Sequence, residues 1–381
     1  MPGKRFSIAR GGNIPKMIAA VLFMAAVLLM PGAAARGAAR GVELCLSSVI
    51  PPLFALLFAV ILLTECGVSA RLSRLLAPVC VRLFGLSGCA GAALLASLIG
   101  GYPAGAKTAV SLYEKGMISR GEARRTVMFC FGAGPAFILG TAGRLLPGHG
   151  ALLLLAVQPA VIVICGVITK HLSRGGSGAG GGMDEEGKKA DSRSFSECVV
   201  SAADSTASAL LNICVFVVLF SSVKEMLTSC GASACLERLI AGAGASDTLS
   251  EAALPVLLEV TGGIMPACRE GLPAAAFALG FGGLAVHMQI YGICRDTGID
   301  HVRFTLMRLL GGLLSAALTA ALSRLLPAAV SAAAPGYEAQ MRSSGPAGAV
   351  TLFIMCVMLV LCSEDKMNPA GRIPPGPEKD R

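Results

Sequence analysis

Apolar residues along this 381-residue chain come in runs of membrane-spanning length, parted by short segments that hold most of the charge. Such runs occupy about residues 48–66, 126–143, 150–170, 205–224, 273–293, 306–326 and 347–363. Each predicts a helix across the bilayer, whose hydrocarbon core of about 30 Å takes about 20 apolar residues. An earlier run, "MIAAVLFMAAVLLMPGAAAR" behind the basic "KRFSIARGGNIPK", holds only about 14 to 16 apolar residues, with an A-x-A-like site near Ala33 to Ala35. It reads as a signal peptide or a short membrane helix, and an uncleaved signal anchor fits the charge balance better. Two more apolar stretches, about 86–106 and 251–267, are short and broken by Gly and Pro. They predict hairpins that enter the bilayer and return to the face they came from.

The fold class expected is therefore an all-α polytopic membrane protein with about eight transmembrane helices and two re-entrant helical hairpins. Composition agrees: 54% of residues are hydrophobic and only 14% charged, against about 25% charged in soluble domains. Forty-seven glycines suit helices that pack closely through small side chains. The net charge of +9 is spread over short loops, a pattern that sets orientation rather than nucleic-acid binding. With both hairpins re-entrant, one face collects Lys4, Arg5, Arg10, Lys16, Arg71, Arg74, Arg82, Lys107, Lys115, Arg120, Arg124, Arg125, the 171–197 linker, Arg295, Arg303 and Arg308. This is the expected cytoplasmic face. Arg36, Arg40, Arg144, Arg238, Arg269 and Arg342 fall on the other. The 14 cysteines form no C-x-x-C pair and lie mostly in apolar runs, so neither zinc nor a disulfide framework is implied; only Cys230 and Cys235 share a loop.

Gly100 to Thr108, "GGYPAGAKT", nearly spells a phosphate-binding loop, but Ala106 stands where the glycine before Lys107 is required. No nucleophile elbow, zinc motif or carboxylate pair is present, so an enzyme is not expected and no cofactor is implied. The Gly-rich linker, Ser173 to Arg193, divides the chain into two similar halves. "FCFGAG" from Phe129 matches "FALGFG" from Phe277, and "TECGVSARLSRLL" from Thr64 matches "TSCGASACLERLI" from Thr228. A broken apolar stretch lies between these marks in each half, with opposite inferred orientation. That is the pattern of an inverted repeat built round a transporter's central site. The expected organisation is a signal anchor (1–40), a first repeat (41–170), a flexible cytoplasmic linker (171–197), a second repeat (198–330), and a C-terminal transmembrane helix with a polar tail (331–381).

"IGGYPAGAKTAVSLYEKGMISRGEARRTVMFCFGAGPAFILGTAG" (99–143), with "LLEVTGGI" (257–264) and "FALGFGGLAVHMQI" (277–290), resembles the YlbJ-type sporulation integral membrane proteins. These belong to the wider nucleoside-recognition, or gate, domain family. The resemblance covers about residues 40 to 330. It implies the core architecture of concentrative nucleoside transporters and a place in the mother-cell-derived outer forespore membrane. It also implies a part in moving a small anionic metabolite, dipicolinic acid. Two other functions stay open: a nucleoside transporter or channel, and a non-transporting membrane protein needed for spore cortex assembly. Partners expected are the lipid bilayer, the small anion, and either further copies or other sporulation membrane proteins, with no nucleic acid.

Backbone broken at membrane depth needs protein, water or solute to satisfy its polar groups. Gly100, Gly101 and Gly105 allow a sharp turn and Pro103 interrupts the helix, so a half-helix is expected to start near Ala106 with Lys107 in its first turn. Lys107 there is either a seat for a carboxylate or a snorkelling lysine. Tyr102 either stacks on a ring or anchors at the interface. Glu259, beside Gly262 and Gly263, is a proton-coupling acid, a partner for Lys107, or a structural acceptor from the hairpin backbone. His287 and Gln289 form a proton relay or a helix–helix hydrogen bond. Gly132 and Gly134, with Pro135, loosen the helix beside the first hairpin or pack it closely. Arg124 and Arg125 with Glu122 are expected as a solvated charged face.

Overall fold

A computed structural model describes residues 14–146, 149–172 and 194–325, all helical elements and connecting turns. The 347–363 span, the N-terminal basic residues through Arg10 and most of the 171–197 linker lie outside the described residues. Helix α1 (Ile14–Leu29) leads into α2 (Pro31–Leu44), which runs through a π-helical turn at Cys45–Val49 into α3 (Ile50–Glu65). Next come α4 (Val68–Val79), α5 (Gly91–Gly100), α6 (Tyr102–Glu114), α7 (Arg120–Phe129), the short α8 (Pro135–Gly140) and α9 (Gly150–Leu172). The second series is α10 (Phe195–Ser229), α11 (Ala232–Gly242), α12 (Asp247–Leu258), α13 (Val260–Glu270), α14 (Leu272–Phe281), α15 (Gly283–Ile293) and α16 (His301–Leu325).

The two series run alike. Each opens on a 35-residue helical stretch, Pro31–Glu65 and Phe195–Ser229. Each then turns at a left-handed glycine, Gly67 at φ 71° and Gly231 at φ 77°, into a shorter helix. A hairpin follows in both, α5–α6 and α12–α13, then a broken pair, α7–α8 and α14–α15, and last an unbroken helix of more than 20 residues, α9 and α16. The hairpin arms touch across small residues. A methyl at Gly105 would stand 2.7 Å from the Ser97 side chain, and one at Gly263 would stand 2.7 Å from the Val256 backbone.

Among the described residues five helical stretches are long and apolar enough to cross a membrane: Pro31–Glu65, Gly150–Leu172, Phe195–Ser229, Leu272–Ile293 and His301–Leu325; the pair Arg74–Phe84 and Gly88–Gly100, bent by 113°, makes a sixth if it is one span. They contain five of the expected spans, and the protein is an all-α, multi-pass membrane protein. The expected span at 126–143 is not one helix. Residues 130–134 are irregular between α7 and α8, because Gly132 and Gly134 offer no side chain to hold helical backbone and Pro135 starts a new helix. Helix α1, at 16 residues, reaches only about 24 Å, short of a full crossing. The expected boundary at residue 40 falls inside α2, which lies along α10 with Gly37 and Gly41 directly on the backbone of Ser222 and Val218.

Helix α9 is about 35 Å long and fixes which elements share an end of the molecule. At one end Lys170 donates to the Arg82 carbonyl at 2.7 Å. Nearby, the base of the first hairpin is tied by the Ser87 amide to Glu122 at 2.7 Å and by Arg125 to the Phe84 carbonyl at 2.5 Å. At the other end Gly150 abuts Leu272, next to the base of the second hairpin, where Ser246 donates to Glu270 at 2.9 Å. The two hairpins thus rise from opposite ends. Side-chain contacts join Arg120 and Arg124 of α7 with the Thr297 carbonyl beyond α15, and Arg36 and Arg40 of α2 with Glu225 of α10.

Candidate functional site

Each hairpin tip rests on a helix break. The first tip is Gly101, at φ 81° and ψ −160°, a conformation open only to glycine. A Cβ on it would lie 2.8 Å from the Gly134 amide nitrogen and 3.5 Å from the Gly132 carbonyl. The second tip is Glu259, in extended backbone at φ −156° and ψ 127°; a Cβ on Gly283 would lie 3.0 Å from its backbone. Glu259 is 5% exposed. Its Oε1 accepts from the Thr261 amide at 2.7 Å and its Oε2 from the Gly262 amide at 2.6 Å, so the carboxylate caps α13. Of the three roles open to Glu259, the structural acceptor is the one formed, and no Lys107–Glu259 ion pair occurs among the described residues. Gly263 serves the approach of the two arms.

Helix α6 begins at Tyr102, four residues before the expected Ala106. Pro103 causes this: its fixed φ suits a first helical turn. Gly100 ends α5, and Gly105 is the fourth residue of α6. Lys107 consequently lies in the second turn, half-buried, away from the free amides of the helix start. Tyr102 is neither an interface anchor nor open to a solute. It is buried, its ring 4.6 Å from that of Phe131 and its hydroxyl donating at 2.5 Å to the Leu279 carbonyl of α14.

Around that bond the interior is filled with rings. His287, fully buried, lies among Phe131, Phe281, Tyr291 and Phe304. Its Nδ1 is 2.7 Å from the Gly283 carbonyl of its own helix, and its Nε2 has no partner among the described residues. Gln289 is buried too, but residues two apart point to different sides of a helix, so these two do not make one relay. Beside Gly132, Gln158 of α9 is buried with its Nε2 unpartnered.

Arg308 was placed by its sequence context with the loop cations. It is instead 2% exposed, in the second turn of α16. Its guanidinium donates to the Phe131 carbonyl at 3.1 Å and to the Met128 carbonyl, and lies 4.4 Å from the Phe131 ring centre. A lone cation inside "FTLMRLLGGLLS" was the signal available. The expected solvated face at Glu122, Arg124 and Arg125 is corrected as well. Glu122 is buried, capping α7 through Ser119 while also holding the Ser87 amide. Arg120 and Arg124 both donate to the Thr297 carbonyl, at 2.9 and 2.7 Å, fastening the first half to the end of α15. Cys230 and Cys235 are free thiols.

Among the described residues one opening adjoins the site and a second lies apart from it. A small cleft of about 50 Å³ beside Glu259 and Gly262 is lined by Arg40, Lys224 and Glu225. A wide apolar groove of about 710 Å³ lies along α1, α2 and α10. The first tip and its break are packed shut, while the small cleft reaches the second tip at Glu259.

No protein-family model matches the chain. It is similar to the sporulation integral membrane protein YlbJ of Bacillus subtilis (strain 168), with 26% identity over 322 residues covering 77% of this chain and 79% of that one. This likeness bears out the resemblance carried by the motifs. Among solved structures the chain is similar to CNTnw in an inward-facing, substrate-bound state, at 15% identity and a TM-score of 0.46, covering 82% of this chain and 85% of that one.

Proposed function

We propose that this protein is a transporter that moves a small anionic metabolite across a membrane of the developing spore, dipicolinate by its resemblance to the YlbJ-type proteins. The single observation that carries the reading is the pairing of each hairpin tip with a helix break at matching places in the two halves. The similarity to a sporulation integral membrane protein supports the setting.

Mechanistically, the described state is closed. The contact of Gly101 with Gly132 and Gly134 is glycine on glycine, so moving the first hairpin off its break parts backbone from backbone there, while the Tyr102 side chain must leave Phe131 and the Leu279 carbonyl. Withdrawal of the hairpin uncovers amides and carbonyls that the solute then satisfies. On the other side, the amides of Thr261 and Gly262 already hold a carboxylate, that of Glu259, and so have the chemistry to take one from the solute. In this reading Gly100, Gly101, Tyr102, Pro103, Gly105, Gly132 and Gly134 shape the first gate. Glu259, Gly262, Gly263, His287 and Gln289 shape the second, and Lys107 supplies positive charge at the flank.

Uptake of labelled dipicolinate by vesicles carrying the purified protein tests the proposal. Saturable uptake, competed by unlabelled dipicolinate and not by nucleosides, is the expected result. Uptake of nucleosides in its place would move the protein to the nucleoside reading. Neither uptake, together with normal dipicolinate content but defective cortex in a deletion strain, would make it an assembly protein.

A further inference from the structure

A broken helix leaves carbonyl oxygens without their usual amide donors, and in transporters of this general kind such carbonyls bind the cation that drives transport. At the first break two of those oxygens are already taken. Met128 and Phe131 turn their carbonyls to Arg308, which reaches them from α16 in the opposite half of the chain. The guanidinium carries a full positive charge, and no carboxylate pairs with it among the described residues. Beside it lie the ring faces of Phe131 and Phe304, with centres at 4.4 and 5.6 Å, which favour a cation, while its Nε has no partner among the described residues. At the second break the Leu279 carbonyl is likewise filled from across the molecule, by the neutral Tyr102 hydroxyl.

We propose that Arg308 is a tethered cation: its guanidinium occupies the carbonyl site at the first helix break in place of a free metal ion, and the protein moves its solute without a coupling ion such as Na⁺. This rests on the transporter reading above, and it adds the driving force. With the cation built in, net flux follows the electrochemical gradient of the solute itself.

The test uses two readouts, one of them independent of the solute. Thermal unfolding of the purified full chain is followed in NaCl, LiCl, KCl and choline chloride at equal ionic strength. A cation that binds the folded state raises the midpoint in a saturable way. The expected result is one midpoint in all four salts, retained by Arg308→Lys. A saturable rise in Na⁺ or Li⁺ over choline in the unaltered protein would overturn the proposal. The second readout is the initial rate of dipicolinate uptake with Na⁺ replaced by choline, expected to change by less than about twofold; a fall of about tenfold overturns it. Absence of uptake in every salt counts against the transporter reading alone, and the midpoints then decide the role of Arg308.

Discussion

The two hairpins do one mechanical job with different chemistry. The first turns on Gly101, whose backbone only glycine adopts and whose missing side chain lets the Gly134 backbone approach. The second turns on Glu259 in ordinary extended backbone and is held by its carboxylate on two amides. One tip is fixed by shape and the other by charge. The two tips therefore answer to different perturbations: bulk at the first, loss of an acceptor at the second.

Six substitutions at five positions test that contrast, each read as a change in thermal unfolding midpoint of the purified protein. Gly101→Val has the largest effect, about 3 kcal/mol or more of destabilisation, since backbone strain of about 1–3 kcal/mol adds to a collision with the Gly134 backbone. A near-neutral result would mean the first tip is not fixed by shape. Glu259→Ala follows, with a loss of about 2 kcal/mol as two buried amides lose a charged acceptor, and Glu259→Gln recovers part of it. Equal values for Gln and Ala would show that the carboxylate does not hold the second tip. Tyr102→Phe costs about 1–2 kcal/mol by leaving the Leu279 carbonyl bare, with the ring packing on Phe131 kept. Smallest are Gly67→Ala and Gly231→Ala. Neither has an atom within 4 Å of the added methyl, so each costs only the left-handed backbone, about 1 kcal/mol, and the two values should agree. Unequal values would separate the halves where they look most alike.

Much of this was legible in the amino-acid sequence because helix breaks are local. Gly and Pro interrupting an apolar run between residues 99 and 105 marked the first hairpin, and Glu-Val-Thr-Gly-Gly marked the second. The charge alternation was legible for the same reason, as bilayer thickness sets the spacing of the loops. Three things were not legible. Helix α6 starts at Tyr102 because Pro103 suits a first turn as readily as it breaks a helix, and the sequence does not say which. Glu122 reads as a surface acid beside two arginines, but its burial depends on Ser87, 35 positions earlier, offering an amide. Arg308 lies only five residues beyond Arg303 in the first turn of α16, so its context suggests the membrane face. What it meets inside is a pair of carbonyls left without helical donors because α7 ends at Phe129.

That last contact has a consequence for how the chain is made. Residue 308 follows Phe131 by 177 positions, and at about 5–20 residues per second a ribosome needs about 10 to 35 s to supply it. For that interval the first half sits in the bilayer with an unfilled polar seam, and only arrival of the last described helix closes it. Chain synthesis, and not local folding, sets the clock for completing the protein's interior.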